Sequence, residues 1–533
     1  MKYPTACVEC RVAKIKCAQN PADPLTACRS CIKRSINCSR PWLEKHEQSG
    51  KPVKKPKILA QAPLPIPQSS DSDLGVVSAQ GINEFVHSYF QFIHDRPHSL
   101  FHERSTWHDI KTGSIRECLL AAICALGCRF APREQDRRLA SRYALRSKLL
   151  FTQNLEEISI PSIQTCILLA NHYAAERDNR LEALYFGIAN RMAYILGIDK
   201  MNTTDSIISQ EIKARVWRSL YMADRWCPPG LGLPHVIRQL DAIPRNLMDE
   251  RAFQSLEEPT PLSTVECREG LWAYNIFLAD ILASIQELNF SLLQENVNRP
   301  DVDRQVDGLA TQLQNWQDSL PSYMVMDEEN LADYRRQGQG GTLVAMHLGY
   351  HHYSALLFFQ YLEPDYEPNQ TSKEYAARCR LHGLAFSRLL HTARKLGDCH
   401  VVYLTVVHMT MVSSSVILHS LLFGTEEEVD TARLQLCRNF EALIELSTYW
   451  PCVDQIKERL FIFQDACLRS SAAKTFSVDK WIIRFLMEHA LPFEKKHSDN
   501  VESTAVAFSP NQHSTVSLER RTILDNALDN LRC

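Results

Sequence analysis

Cys7-Val8-Glu9-Cys10-Arg11-Val12-Ala13-Lys14-Ile15-Lys16-Cys17 sits near the start of the chain, and a ten-residue loop holding Pro21 and Pro24 follows it. The spacing then repeats as Cys28-Arg29-Ser30-Cys31 and, after six more residues, Cys38. Two copies of Cys-x2-Cys-x6-Cys are a metal-binding pattern, because a two-residue gap lets paired thiolates reach one ion and the third cysteine returns after a short helix. Two tetrahedral zinc ions need eight ligand positions, and six thiolates fill them when two sulfurs bridge both metals. So small a module buries too little apolar area to be stable alone, so metal binding and folding are expected as one event. A disulfide framework fits poorly, since the other twelve of the 18 cysteines are scattered without pairing spacing. A cuprous thiolate cluster is the other alternative.

The charge around these cysteines points to a polyanion. Residues 2–57 hold thirteen Lys or Arg against four Asp or Glu, a net +9, and the whole chain is −3, which leaves −12 for residues 58–533. A basic head on an acidic body is a nucleic-acid-binding asymmetry. The stretch Ala6-Cys7 through Cys17, with Arg11, Lys14 and Lys16, resembles the fungal zinc binuclear-cluster transcription factors. That resemblance implies two zinc ions held by Cys7, Cys10, Cys17, Cys28, Cys31 and Cys38, with Cys7 and Cys28 bridging. It also implies that Lys14 reads base edges in the major groove of double-stranded DNA, typically of a CGG triplet, where guanine O6 and N7 accept from a cation. Arg11, Lys16, Lys33 and Arg34 are placed as phosphate contacts, which fix register without reading sequence. Ala13 stands where members of the family often have a basic residue. For each single lysine the plain alternative is a solvated surface charge.

The 533 residues, 45% hydrophobic and 23% charged, have ordinary soluble composition and leave room for a large second core. No uninterrupted apolar run approaches the ~20 residues that cross a bilayer, and Met1-Lys2-Tyr3-Pro4 carries no apolar leader. The expectation is a protein of a reducing compartment, without a membrane partner and, given the resemblance, of the nucleus. Residues 1–40 are read as the cluster module and 41–80 as a linker. Within it, Lys51-Pro52-Val53-Lys54-Lys55-Pro56-Lys57 is an import signal, an extra phosphate contact or a solvated run. Its prolines and lack of heptads forbid the dimerising coiled coil that many members carry here, so homodimerisation stays open.

From 81 to 493 the apolar spacing is helical almost throughout, giving a large all-α regulatory domain and a mostly α chain. Ile82, Phe85, Val86, Tyr89, Phe90 and Ile93 form one stripe, ending near Pro97. Leu119, Ile123 and Leu126 form another, and Leu184, Ile188, Met192 and Ile195 a third. Ile212 to Trp226 reads as a helix stopped by Pro228-Pro229-Gly230. Further helices are expected at about 265–297, 304–319, 341–362, 372–396, 400–423, 429–448, 452–470 and 477–490. Leu181 to Ile198, then Glu211 through Trp217 to Asp224, then Leu231-Gly232-Leu233-Pro234 resembles the fungal-specific regulatory domain of the same factors, over roughly residues 82–300. Leu233 replaces the arginine common in that turn.

No catalytic constellation stands out, so an enzyme is not expected. His94, His98 and His102 are spaced by four, but Pro97 interrupts any helix that would align them. His351-His352 reads as a packing pair, and Cys118, Cys124 and Cys128 as small buried hydrophobes, with a redox sensor as the alternative. Residues 494–533 are a polar tail ending in an acidic-apolar stretch, 523–531, that is either a partner-binding helix or a last helix of the body. The whole reads as a sequence-specific regulator of RNA polymerase II transcription. Its body contacts the transcription machinery, co-regulators or a small-molecule effector; the rival is a zinc module that docks protein.

Overall fold

A computed structural model describes residues 7, 10, 12–17, 28–34, 79–200, 205–237, 247–257, 268–294, 298–362, 370–473, 476–491, 493–494 and 522. The basic run at 51–57 and the stretch 523–531 lie outside them. The chain divides into two compact units, Met1–Val76 and Val77–Cys533. The first contributes the short helix Arg29–Lys33. The principal helices of the second are α1 (Ala79–Phe92), α2 (Glu103–Thr112), α3 (Glu117–Gly127), α4 (Ala140–Gln153), α5 (Ile160–Ala175), α6 (Asn179–Leu196), α7 (Ile207–Leu231) and α8 (Leu271–Ser291). They continue as α9 (Arg299–Asp318), α10 (Glu328–Arg336), α11 (Gly340–Phe358), α12 (Gln370–Leu396), α13 (Thr405–Phe423), α14 (Glu426–Ser447), α15 (Val453–Ala473) and α16 (Lys480–Met487). No strand occurs among the described residues; two isolated bridges, His94 with His98 and Met248 with Glu269, are the only extended pairings there.

Local chemistry sets many of the helix ends. Asp178 accepts from the Leu181 N–H to start α6, Ser206 from Ser209 to start α7, and Asp479 from Ile482 to start α16. Thr425 and Glu428 form a reciprocal capping box at α14. Gly113, Gly197 and Gly232 end α2, α6 and α7 in the left-handed region, which costs glycine nothing. Helices α5 and α6 pack on each other, as do α11 and α12, α3 and α4, and α13 and α14. Where α3 crosses α1 the backbones nearly touch, and any side chain at Gly127 would collide with the Phe85 carbonyl.

Helices α11 and α13 are buried on every side and form the middle of one continuous core. By length and mean hydropathy α13 could cross a membrane, although His408, Ser413, Ser414, Ser415 and His419 interrupt its apolar run. It is 94% buried inside the bundle. The hydroxyls of Thr410, Ser414 and Ser415 donate to carbonyls one turn back, so these polar groups cost the core little.

The polar centre of the body is Arg215, on α7 and without solvent exposure. Its Nε donates to Glu211 at 3.0 Å, one terminal nitrogen to Ser99 Oγ at 2.9 Å and the other to the Met248 carbonyl at 2.6 Å. Its guanidinium also lies 4.5 Å from the Phe253 ring centre. Burial alone would favour the neutral form, but Glu211, Glu250 and Asp95 outweigh it and raise the pKa of Arg215 further. Glu250 in turn accepts from the N–H groups of Leu271 and Trp272 at the start of α8.

The double proline does not stop α7, which continues through Pro228 and Pro229 to Leu231. Each proline removes the N–H that a carbonyl four residues earlier would accept. The two carbonyls released are those of Asp224 and Arg225. His235 Nδ1 donates to the first at 2.5 Å and Gln286 Nε2, from α8, to the second at 2.9 Å. Tertiary donors thus replace the missing pair, and the helix ends at Gly232, with Leu233 half-exposed beyond it.

Replacing Arg215 by Ala strands Glu211 inside the body and is expected to cost about 3–5 kcal/mol. Replacing Arg304, whose partner Asp301 is exposed, should cost no more than about 0.5 kcal/mol. Urea unfolding of the full chain followed by helical circular dichroism distinguishes the two; equal losses would contradict this assignment.

Candidate metal centre

In the first unit the sulfurs of Cys7, Cys10, Cys28 and Cys31 all lie within 4.8 Å of one another. The Cys7 Sγ is 3.8 Å from Cys28, 3.7 Å from Cys31 and 3.7 Å from Cys17, and Cys10 is 3.5 Å from Cys28. A disulfide needs about 2.05 Å. Thiolates at about 2.3 Å from a tetrahedral ion are about 3.8 Å apart, so the spacing is that of ligands sharing metal. The described cysteines are all free thiols. This donor set can hold a metal ion, and it fits zinc.

Local backbone brings the sulfurs together. Cys28 is the N-cap of Arg29–Lys33 and its sulfur accepts from the Cys31 N–H at 3.4 Å, which folds the two-residue gap into the first helical turn. The Cys7 N–H points at the Cys17 sulfur at 3.5 Å. Ser30 donates to the Lys16 carbonyl at 2.7 Å and ties the first repeat to the second. Burial pushes the Cys7 and Cys10 thiols up. Burial acts the same way on Cys28, but hydrogen bonds from the Cys31 backbone and then from the Cys10, Cys31 and Cys17 thiols outweigh it and bring that thiol down to about 6. Four sulfurs this close cannot all ionise unaided, and a divalent cation is what would deprotonate them together.

Around the cluster Lys14, Lys16, Lys33 and Arg34 are exposed, and so is Arg29, which the spacing argument did not single out. Lys14 has φ of 51°, a left-handed conformation uncommon for a residue with a side chain. The Ile15 N–H closes this turn on the Cys10 carbonyl at 3.0 Å. Arg11 and Cys38 lie outside the described residues. Val12, Ile32 and Ile15 are exposed at 79%, 48% and 40%.

The other candidates disperse into structural roles. His94 Nε2 accepts from the N–H groups of Leu100 and Phe101, His98 Nε2 pairs with the Tyr89 hydroxyl at 2.9 Å, and His102 caps α2. His351 meets His382 at 3.0 Å, and His352 stacks on Trp226. Cys118, Cys124 and Cys128 are buried, and desolvation pushes Cys128 up to about 12, far from a reactive thiolate.

The chain has recognisable relatives. Residues 84–318 match the model of the fungal specific transcription factor domain. An uncharacterized transcriptional regulatory protein of Schizosaccharomyces pombe is 21% identical over 71% of this chain and 51% of its own length. Transcription factor asqA of Emericella nidulans is 22% identical over 48% of this chain and 52% of its own. Activator of stress genes 1 of Saccharomyces cerevisiae is 26% identical over 40% of this chain and 22% of its own. The chain spans about half, or less, of the length of the curated relatives it matches. No solved structure matches it. The motif residues Glu211 and Asp224 and the turn at Gly232 fall within the matched segment and build its buried polar centre and the end of α7, while the Trp217 ring packs against Tyr194. Over residues 84–318 the chain thus carries the fungal specific transcription factor domain, and the relatives that it matches are transcriptional regulators by name.

Proposed function

We propose that the protein is a nuclear, sequence-specific DNA-binding regulator of RNA polymerase II transcription, with no catalytic activity of its own. The observation that carries this is the convergence of cysteine sulfurs at 3.5–3.8 Å beneath an exposed basic surface. Two zinc ions are held by Cys7, Cys10, Cys17, Cys28, Cys31 and Cys38. Cys7 and Cys28 bridge, in keeping with their mutual approach and with Cys7 also nearing Cys17 and Cys31. Lys14, at its left-handed turn, reads a CGG-like triplet, and Arg11, Lys16, Lys33 and Arg34 hold phosphates. Residues 1–40 form this module, 41–80 link it to a regulatory body spanning 81–493, and 494–533 are a tail. The names of the relatives support the regulatory reading.

A second reading rests on Val12 and Ile32, whose exposed apolar side chains beside the cluster suit a protein partner. Affinity for DNA separates the two. With four phosphate contacts, log affinity should fall against log salt with a slope of about −3 to −4. Lys14→Ala should cost about 1–3 kcal/mol on the preferred sequence and erase the preference, whereas Lys16→Ala should weaken all sequences alike. A flat salt series, or uniform loss from Lys14→Ala, favours the protein-docking reading.

Metal and fold should be lost together in the first unit. Treating the full chain with a zinc chelator, or replacing Cys28 by Ser, should abolish specific DNA binding while leaving the helical circular dichroism of the body nearly unchanged. Metal analysis should return two zinc ions per chain before treatment. DNA binding that survives chelation would overturn the metal assignment.

A further inference from the structure

The helical body holds a partly open cavity of about 140 Å³, walled by residues from α5, α6, α7, α11 and α13 and by the segment after α16. That is close to the size of an engineered apolar cavity that takes up benzene. This one is not purely apolar. Glu182 of α6 and Trp226 and Cys227 of α7 stand on its wall, together with Tyr353, His408 and His489.

Three charged side chains line it, and two have their charge accounted for. Arg96 has Asp95 beside it, and Arg177 is exposed. Glu182 is buried, at 9% exposure, and forms no salt bridge among the described residues. Burial raises its carboxyl to about 7, and the only group opposing that rise is the Cys227 thiol, which hydrogen-bonds to it. The histidines nearby supply no cation, since burial holds His352, His408 and His489 neutral. His408 Nδ1 is itself buried without a hydrogen-bond partner. Such a carboxyl escapes the cost of burial by keeping its proton, and a cation seated beside it would favour the ionised form instead.

Next to Cys227, Trp226 gathers rings around it. His352 stacks on it at 5.6 Å, and Tyr353, His408 and His489 lie at 6.1, 6.2 and 6.4 Å between ring centres. Trp226 keeps part of its surface uncovered where it lines the cavity. Aromatic faces beside a desolvated carboxylate are what an organic cation prefers. The wall is also fastened: the Ala490 N–H donates to the Gly230 carbonyl at 3.2 Å, and Asn179 donates to the Ala490 carbonyl. An occupant would therefore touch α6, α7 and the end of the chain's helical body at once.

We infer that this cavity is a binding site for a compact organic cation, a primary amine or protonated nitrogen heterocycle of single-ring size, anchored by Glu182 and flanked by Trp226. The occupant joins three separate parts of the body, and so reports its presence through the body's stability.

Calorimetric titration and thermal unfolding of the full-length protein test this with three probes of one shape: benzylamine, benzyl alcohol and benzoate. Benzylamine should bind about tenfold or more tightly than the other two, the scale of one charge-assisted hydrogen bond, and should raise the unfolding temperature. Glu182→Gln should reduce benzylamine to the affinity of the alcohol. Equal binding of amine and alcohol, tighter binding of benzoate, no benzylamine binding at millimolar concentration, or an unchanged affinity in Glu182→Gln would each overturn the assignment. The wild-type comparison decides the matter by itself if that variant does not fold.

Discussion

One guanidinium, that of Arg215, ties three separate parts of the chain together. It is bonded at once to its own helix through Glu211, to the turn after α1 through Ser99 and to the extended segment before Glu250 through the Met248 carbonyl. Met248 returns the contact, since its N–H donates to Glu211 at 3.0 Å. Hydrophobic burial is non-directional and would accept many arrangements of helices. A buried cation accepts only those in which its donors are met, because each unmet donor in a dry interior carries the full desolvation penalty. The same helix repeats the device at its far end, where Asp224 takes the N–H groups of Val236 and Ile237 and Arg225 donates to the Ile237 carbonyl. Helix α7 is thereby fixed at both ends by charge, and the neighbouring helices pack against a frame already defined.

This explains which parts of the structure could be seen in the sequence. Helices with one apolar face, such as α1 with Phe85, Val86 and Tyr89 inward, announce themselves by period. The cysteine spacing is equally legible, since the chemistry that needs it acts over a few residues. Helix α5 is another matter. Ile163, Cys166, Ile167, Leu168, Leu169 and Ala170 are buried in succession, so no polar face is left to reveal a period. The double proline reads locally as a stop for a related reason. Its effect depends on whether the freed carbonyls find donors, and the donors come from residue 235 and from α8, beyond any local window. The cavity was invisible for the same cause: Glu182, Trp226 and His489 are distant in sequence, and none belongs to a motif.

The matched family segment ends at residue 318, yet the body does not divide there. Helices α11 and α13, both beyond that limit, lie in the same core as α1, α7 and α8. Trp226, inside the segment, is ringed by His352, Tyr353, His408 and His489 from outside it. A wall built from both halves gives an event at residue 489 a direct physical route to the motif helix.

The two units hold themselves together by different means, and that difference bears on how each can be regulated. Among the described residues of the first unit, the buried hydrophobic cluster consists of Cys7, Cys10, Cys28 and Cys31, with Cys17 against it. Those residues offer no carbon core to fall back on, and sulfur without metal is a set of crowded thiols whose ionised forms repel. On the proposed reading, its folded state would follow metal supply and the redox state of the sulfurs. The body has a core running from Phe85 to Met487 that contains buried cysteines but relies on none of them as ligands. Its folded state depends on apolar burial and on a few charges that have to be matched. On the proposed reading, loss of metal would unfold the first unit and leave the second intact, because the core of the second contains none of the clustered sulfurs.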